Sequence, residues 1–198
     1  MAFFQAFALE RFFAKHEFSA RYLLCSSDCE SFPIRELLAM EPDALERLLD
    51  LRLGYTETRG APSLRLALAG LYAGLSPDGI FVHAGAEEAI LNLYLALVSA
   101  GDRVVVNAPA YQSLSEIPRA LGAQVVPWNL RPSTGRDGRQ RWALDPDELP
   151  ALSGGQAKII VVNMPHNPTG ALMNRDEFES LVSYARKTGA ILVVDEVY

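Results

Sequence analysis

One stretch of the chain reads KIIVVNMPHNPTG over residues 158–170, and a second reads ILVVDEVY over residues 191–198. Each begins with a continuous apolar run of the kind that fills a strand buried on both faces of a parallel sheet. The first run leads into His166 and Asn167, and the second leads into Asp195 and Tyr198. Because ligands of open α/β sheets bind beyond the carboxyl ends of the strands, the two stretches predict both a fold and a site.

Outward from these stretches, short apolar runs alternate with amphipathic segments. Apolar residues recur from Ile90 at the spacing i, i+3, i+4 and i+7, which predicts a helix. Asn174 with Glu177 three positions later predicts a capping box at the start of another helix. Strands are predicted over residues 80–83, 103–107, 124–128, 158–163 and 191–194, and helices over residues 87–98, 111–121 and from residue 174. The alternation predicts an α/β fold with a mainly parallel sheet and helices on both faces.

The first part of the chain has a different character. Residues 1–18 are rich in Phe but interrupted by charges, which predicts an amphipathic helix or arm packed on another surface. They lack the basic start and apolar run of a signal peptide. A helix is predicted over residues 42–51, and Pro62 suits the first position of the next one. We divide the chain into an N-terminal segment, residues 1–45, and a sheet-containing domain, residues 46–198.

Composition excludes several classes of function. The formal net charge of −6 argues against nucleic acid and against an anionic membrane surface as partners. No stretch approaches the ~20 continuous apolar residues that span a bilayer. Cys25 and Cys29 form neither a disulfide framework nor a zinc motif, and the three histidines share no metal-ligand spacing. These features predict a cytoplasmic protein without a bound metal.

The predicted strand ends carry residues that suit one flat, charged ligand. Gly85-Ala86-Glu87 opens a helix, where small residues and backbone N–H groups favour an anion such as phosphate. Tyr111 can stack on a flat ring, and the Asn167 amide can donate to a phenolate oxygen, which Tyr198 can reach from another side. Asp195 ends an apolar run, where a carboxylate is costly unless it is paired, and a pyridinium N–H would be an apt partner.

Each of these features taken alone has an ordinary structural explanation. The turn at Gly85 can be tight packing, and Tyr111 can be an amphipathic surface residue. Asn167 before Pro168 can simply mark a turn of the backbone, and Asp195 can cap a nearby helix. The loop at residues 85–87 is neither a dinucleotide-binding glycine motif nor a phosphate-binding Walker loop, which counts against dinucleotides and nucleoside triphosphates as ligands.

Taken together, the motifs resemble a known family. GAEEAI over residues 85–90, PAY over residues 109–111, NMPHNPTG over residues 163–170 and DEVY over residues 195–198 occur in the order and approximate spacing of class I/II aminotransferases. These are fold-type I enzymes that depend on pyridoxal 5′-phosphate (PLP). The resemblance covers nearly all of residues 53–198, and the pairing of Asn-Pro-Thr-Gly with Asp-x-x-Tyr is highly specific.

The resemblance implies a role for each motif residue. Gly85, Ala86 and Glu87 resemble the cradle for the cofactor phosphate, and Tyr111 resembles the aromatic residue that stacks on the pyridine ring. Asn167 and Tyr198 resemble the donors to the ring oxygen. Asp195 resembles the partner of the ring nitrogen.

Beyond these motifs, Tyr55 resembles a tyrosine that reaches the phosphate of the neighbouring subunit, which implies a homodimer with sites at the interface. The resemblance also implies that residues 1–45 are an arm with part of a small domain, and that residues 46–198 are an incomplete PLP-binding large domain. The substrates it implies are an α-amino acid and a 2-oxo acid.

The resemblance is incomplete in two respects. Where the family has a glycine-rich substrate loop, this chain reads SSDCES over residues 26–31, and its acidic residues either select a cationic side chain or form a solvated turn. The family's Schiff-base lysine follows the Asp-x-x-Tyr motif, and none of Lys15, Lys158 and Lys187 matches it. We therefore assign no catalytic residue and expect the 198-residue chain alone to be inactive.

Two expectations complete the prediction. In the resembled family, two later strands lie between the first strand and the other four, so the segment at residues 80–83 is expected to lack sheet neighbours here. The motifs also leave the reaction open: an aminotransferase is the leading interpretation, and a PLP-dependent lyase or cyclase on the same scaffold, or a PLP-binding module or remnant without activity, remain alternatives.

Overall fold

The computed structural model of the chain describes residues 4–135 and 138–198, so the first three residues of the predicted arm lie outside the described part. The described helices are α1 (Ala8–His16), α2 (Ile34–Leu38), α3 (Ala44–Leu49), α4 (Pro62–Ala69), α5 (Ala86–Leu97), α6 (Gln112–Ala120), α7 (Leu149–Ser153) and α8 (Arg175–Thr188). The described strands are β1 (Arg103–Ala108), β2 (Gln124–Asn129), β3 (Arg131–Thr134), β4 (Gln140–Ala143), β5 (Ala157–Asn163) and β6 (Ile191–Asp195).

The chain forms two compact units. One, here called the sheet unit, combines the described part of Met1–Cys25 with Gly85–Tyr198, and the other, the helical unit, is Ser26–Ala84. The division of the chain at residue 45 that the sequence suggested stays a prediction.

The sheet unit is built on four parallel strands in the order β2-β1-β5-β6. The two central strands are the most apolar, and Val105 pairs with Val126 on one side and with Ile160 on the other. Val161 in turn pairs with Val193 of β6. Parallel strands buried on both faces need near-continuous apolar runs, which is what these segments supply.

Helices cover both faces of this sheet. Val104, Val106 and Val161 face α5 and α6, because alternate side chains of a strand point to the same face. Val105, Ile160 and Val162 point to the opposite face, where they share a core with residues of α7 and α8. The predicted α/β fold, with a mainly parallel sheet and helices on both faces, is confirmed.

A proline inside α6 shapes the contact between α5 and α6. Pro118 has no N–H, so the carbonyl of Leu114, four residues earlier, lacks its helical partner. Tyr94 of α5 is buried and donates its hydroxyl to that carbonyl at 2.7 Å. Burial, with a smaller effect from the charge of Asp195, raises the pKa of the Tyr94 hydroxyl, so it stays a donor.

Tyr94→Phe is expected to lower the free energy of unfolding by about 1–3 kcal/mol, because it leaves the buried Leu114 carbonyl without a donor. Urea denaturation followed by circular dichroism measures the change. Tyr72→Phe, at an exposed tyrosine of the helical unit, serves as the control and should change stability by less than about 0.5 kcal/mol. Equal effects of the two substitutions would contradict this role for the hydroxyl.

The strand predicted over residues 80–83 is wrong. This segment follows a 3₁₀ turn over Pro77–Gly79, and its backbone bonds to a loop: Val82 N–H donates to the Arg59 carbonyl at 2.9 Å. A strand needs a neighbouring strand to satisfy its backbone groups, and the described sheet places none beside these residues.

The polar stretch after β2, for which the sequence predicted no strand, contains a β-hairpin. Strands β3 and β4 pair antiparallel, with Arg131 opposite Ala143 and Thr134 opposite Gln140. Their exposed polar residues give no apolar alternation, so the pattern that reveals half-buried strands is missing. Leu144 and Leu149, which follow the hairpin, are buried in the core beside the sheet.

Local contacts within the helical unit explain two of its sequence features. Gly60 has a φ of +101°, and a Cβ there would lie 2.5 Å from Val82, so only glycine fits. Arg65 of α4 donates to the Gly60 carbonyl at 3.2 Å and to the Pro77 carbonyl at 2.9 Å. This arginine therefore joins the loop before α4 to the turn after it.

Within residues 4–135 and 138–198, no helix has the length and apolar character needed to cross a membrane. Cys25 and Cys29 are exposed and not joined to each other. The described residues contain no cluster of His, Cys, Asp and Glu side chains suited to a metal ion.

Candidate active site

Three strand ends meet at the carboxyl edge of the sheet and carry polar side chains there. Asn107 follows the buried valines of β1, Asn163 ends β5, and Asp195 ends β6. Asn107 and Asn163 are almost fully buried, and the Asn163 N–H donates to Asn107 Oδ1 at 2.8 Å. A side-chain oxygen thus continues the hydrogen bonding of the sheet past the last backbone pair of β1 and β5.

The Asn163 side chain joins the two motifs that the sequence singled out. Its Oδ1 accepts from the Asn167 N–H at 3.2 Å, and its Nδ2 donates to the Asp195 carbonyl at 3.2 Å. The Asp195 carbonyl also accepts from the Met164 N–H at 3.0 Å. One buried amide therefore fixes the backbone positions of both Asn167 and Asp195.

His166 holds the same loop from its other side. It is buried, with Nε2 2.6 Å from the Pro109 carbonyl and Nδ1 2.7 Å from Thr169 Oγ1. A carbonyl only accepts, so these partners assign the proton to Nε2 and let the Thr169 hydroxyl donate to Nδ1. This ring ties the Asn167 loop to the loop that leads into Tyr111.

Asn167 and Tyr198 come together as the sequence predicts. Asn167 Nδ2 donates to the Tyr198 hydroxyl at 3.1 Å, although 31 positions separate the two residues. Two polar groups that can each donate a hydrogen bond therefore meet beyond the ends of β5 and β6.

Asp195 is a partly buried carboxylate without a cationic partner. In the described part of the chain it forms no ion pair, and its carboxylate accepts only a long bond of 3.3 Å from the Val197 N–H. Burial raises the pKa of the Asp195 carboxyl, and the Val197 hydrogen bond partly opposes that rise. A carboxylate in this state gains from any ligand that brings a positively charged N–H.

Tyr111 lies at the start of α6, and its hydroxyl is engaged. The hydroxyl donates to Glu10 Oε1 at 2.7 Å, and the Phe7 ring packs edge-on against the Tyr111 ring with centroids 4.9 Å apart. Burial, followed by the hydrogen bond to Glu10, raises the pKa of the Tyr111 hydroxyl. The sequence predicted the position of this tyrosine, but the structure adds its contact with the N-terminal arm.

Gly85 begins α5 with a backbone that other residues rarely adopt. Its φ is +153° and ψ 166°, and no side chain caps the helix that follows. The N–H groups of Ala86 and Glu87 belong to the first turn, where a helix offers no acceptor. The Glu87 carboxylate accepts from the Ser113 hydroxyl at 2.8 Å. Since a carboxylate repels an anion, the part of this motif that suits one is its backbone.

Tyr55 belongs to the helical unit and is fully exposed. Its predicted role toward a neighbouring subunit stays a prediction.

The three lysines lie where the sequence placed them. Lys158 opens β5 at the amino end of the sheet, and its ammonium contacts Asp102 at 2.7 Å. Lys15 and Lys187 occupy the last turns of α1 and α8. The hydrogen bond from Lys158, together with one from the Ser99 N–H, lowers the pKa of Asp102, so this lysine has a structural partner.

Sequence reasoning missed several residues that build this edge. Asn107 and Asn163 received no role, although each ends an apolar run as Asp195 does, and that signal was available. The roles of Glu10 and Gln112 could not be found in this way, because Glu10 contacts Tyr111 101 positions away and Gln112 contacts Ala8 104 positions away.

A family model now adds independent evidence. The model for aminotransferases of class I and II matches residues 22–198. The chain belongs to the class I and II aminotransferase family. This confirms the resemblance on which the sequence analysis relied, and pyridoxal 5′-phosphate is the cofactor that the family implies.

Similar proteins of this aminotransferase family include enzymes with different names. Kynurenine–oxoglutarate transaminase 3 of Homo sapiens is 35% identical over 153 residues, which is 73% of this chain and 34% of that protein. Capreomycidine synthase of Streptomyces vinaceus is 33% identical over 192 residues, which is 96% of this chain and 48% of that protein. The chain thus spans between a third and a half of the length of these relatives.

Solved structures of the family share the fold. A PLP-dependent aminotransferase from Streptococcus suis 89-1591 matches with a TM-score of 0.88 and 33% identity, over 98% of this chain and 52% of that one. The PLP-dependent cyclase OrfR matches with a TM-score of 0.83 and 32% identity, over 96% of this chain and 48% of that one. The same fold therefore occurs in an aminotransferase and in a cyclase.

The residues at the carboxyl edge fit the cofactor that the aminotransferase family implies. Among residues 4–135 and 138–198, Asp195 has no positive partner, and a protonated pyridine nitrogen would supply one. Asn167 and Tyr198 lie side by side, with the Asn167 amide 3.1 Å from the Tyr198 hydroxyl, so both can donate to the same oxygen. The uncapped start of α5 at Gly85 suits an anion.

Proposed function

We propose that this chain is part of a PLP-dependent aminotransferase that transfers an amino group between an α-amino acid and a 2-oxo acid. The observation that carries the proposal is the approach of Asn167 to Tyr198 near the partly buried carboxylate of Asp195, which no cation in the described part of the chain pairs. The aminotransferase family and the transaminases among its similar proteins support it. We further propose that residues 46–198 contribute to the large domain and residues 1–45 to an arm and small domain.

The bound cofactor would supply an electron-withdrawing ring that stabilises negative charge at the substrate α-carbon. In this proposal Asp195 holds the proton on the ring nitrogen, since no cation of the described residues is paired with its carboxylate. Asn167 and Tyr198 donate to the ring oxygen, and Tyr111 stacks on the ring.

The phosphate would be bound by the first turn of α5, through the backbone of Gly85, Ala86 and Glu87. Tyr55 is exposed and would reach the phosphate bound by a second copy, which makes a homodimer part of the proposal. We also propose a cytoplasmic location and no role for nucleic acid or membrane.

We expect the 198-residue chain alone to show no turnover above background with PLP, 2-oxoglutarate and a panel of α-amino acids. The reason is the position of its lysines: Lys158 is paired with Asp102, and Lys15 and Lys187 lie at helix ends. None is placed as nucleophile and base beside the site. Product formation is followed by mass spectrometry.

A control separates weak chemistry by free PLP from chemistry by the protein. The chain with Asp195→Ala should give the same background as the unchanged chain. Turnover that disappears with Lys187→Ala or Lys158→Ala would overturn the expectation of inactivity.

A lyase or cyclase is the second candidate. Capreomycidine synthase matches 96% of this chain, against 73% for kynurenine–oxoglutarate transaminase 3, and the cyclase OrfR also shares the fold. Product analysis of a longer protein that contains residues 1–198 decides between them. Amino transfer converts the acceptor 2-oxo acid into a new amino acid. Elimination instead releases the β-substituent, with ammonia formed when the enamine product hydrolyses, and cyclisation retains the amino nitrogen in a ring; neither consumes an acceptor.

A third candidate is a PLP-binding module or remnant without activity. It is distinguished by binding without turnover in that longer protein. The binding itself can be measured on this chain with 4′-deoxypyridoxine 5′-phosphate, which lacks the aldehyde and cannot react with lysines. Absence of binding would count against all three candidates.

A further inference from the structure

The N-terminal arm is held to the start of α6 by one glutamine. Gln112 Oε1 accepts from the Ala8 N–H at 3.0 Å, and Gln112 Nε2 donates to the Ala6 carbonyl at 3.1 Å. A single amide thus binds the arm backbone at two points, from 104 and 106 positions away along the chain.

The contact matters because α1 has no cap of its own. The N-cap residue is Phe7, which has no side-chain acceptor for the first helical N–H groups. Gln112 supplies such an acceptor to Ala8. A helix of nine residues is marginal in isolation, so docking on α6 stabilises both its position and its structure.

The docked arm also fixes Tyr111. Phe7 lies edge-on to the Tyr111 ring at an interplanar angle of 69°, and Glu10 accepts from its hydroxyl at 2.7 Å. An edge-on aromatic neighbour and a charged acceptor restrict two different motions of the side chain, its rotation and the swing of its tip. The tyrosine is thereby held before any ligand arrives.

We propose that residues 6–10 form a latch that fixes the Tyr111 ring, with Glu10 and Gln112 as positioning residues. The latch is defined by its four contacts: two to Gln112, one from Phe7 and one from Glu10. Its benefit to cofactor binding rests on the proposed function, because that proposal assigns the stacking role to Tyr111. The latch itself is a property of the ligand-free chain.

The first experiment measures the latch without ligand. Trypsin cleavage after Arg11 is timed by mass spectrometry in the unchanged chain, in Gln112→Ala and in Glu10→Ala. Loss of one or two hydrogen bonds, each worth about 1 kcal/mol, should speed cleavage about fivefold or more. Gln124→Ala and Glu30→Ala, at exposed residues, are the controls and should leave the rate unchanged.

A spectroscopic readout tests the effect on the tyrosine itself. With 3-fluorotyrosine incorporated, the ¹⁹F line of ring 111 is assigned by its loss in Tyr111→Phe. We expect Gln112→Ala and Glu10→Ala to shift that line toward the position of an exposed tyrosine, whereas the controls should not. An unmoved line together with an unchanged cleavage rate would overturn the latch.

The last experiment separates the latch from the proposed function. Titration with 4′-deoxypyridoxine 5′-phosphate should give a dissociation constant raised about threefold to tenfold in Gln112→Ala and Glu10→Ala, the loss of about one hydrogen bond. If the unchanged chain binds no probe, the proposed function fails while the cleavage and ¹⁹F results still decide the latch. If the probe binds equally to all variants, the positioning role is wrong.

Discussion

Asp195→Asn is expected to weaken binding of 4′-deoxypyridoxine 5′-phosphate roughly 10- to 150-fold, the loss of about 1.5–3 kcal/mol for a hydrogen bond to a charged group. The amide can accept a hydrogen bond, but it no longer stabilises a positive charge on the ring nitrogen. Equilibrium dialysis against the chain measures the effect. Glu196→Gln, at the exposed neighbouring carboxylate, is the matched control and should change the affinity less than about twofold.

The same substitution is expected to stabilise the ligand-free chain at neutral pH. Burial raises the pKa of Asp195 above the ordinary value of 3.8, so the folded chain retains a proton that the unfolded chain has lost. The free energy of unfolding then falls as pH rises from about the ordinary value through the raised one. Asp195→Asn should remove this decrease, leaving the variant more stable above that window.

Urea denaturation at a series of pH values tests this opposition between binding and stability. The difference between the variant and the unchanged chain should grow as the pH rises through the window and then stay constant. If Asp195→Asn destabilised the ligand-free chain at pH 7, the carboxylate would have a stabilising partner, and the assignment to a ring nitrogen would lose its basis.

The second large effect is expected at Asn107. Asn107→Ala removes the acceptor of the Asn163 N–H and leaves a small cavity in a buried position, which together should cost about 2–4 kcal/mol of unfolding free energy. That is a substantial part of the 5–15 kcal/mol by which domains are typically stable. Because Asn163 also holds Asn167 and Asp195, binding of the aldehyde-free probe should weaken as well.

The matched control is Asn129→Ala, at another asparagine that ends a strand but is exposed. Its effect on stability should stay within about 0.5 kcal/mol. Chemical denaturation of both variants, with probe binding measured at low denaturant, gives the two quantities. If Asn107→Ala were as mild as Asn129→Ala, the buried amide would not be the support for the site that its contacts suggest.

The fold could be predicted where burial imposes a pattern. The segments of β1, β5 and β6 lie between two layers of helices, so their apolar runs appear in the sequence. Whether a segment pairs with another strand could not be predicted from its own residues in the same way. Residues 80–83 are apolar enough for a strand but have no neighbour in the described sheet, and β3 and β4 are paired but too exposed to show alternation.

The candidate site could be predicted where chemistry restricts the residue type. Asp195 and Asn167 stood out because a carboxylate and an amide follow apolar strands. The support behind them depends on three-dimensional contacts: His166 bonds to a carbonyl 57 positions away, and Glu10 reaches Tyr111 across 101 positions. The spacing of residues in a single sequence does not reveal such long-range contacts.

The hydrogen bond from Tyr94 to the carbonyl left open by Pro118 has an evolutionary consequence. A proline at 118 costs least when a donor stands at 94, because the Leu114 carbonyl then receives a hydrogen bond from Tyr94 in place of the N–H that proline lacks. The two positions should therefore change together: homologous chains with another residue at 118 should tolerate phenylalanine at 94. An alignment of the family that showed independent variation at the two positions would mean that the acceptor is satisfied in some other way.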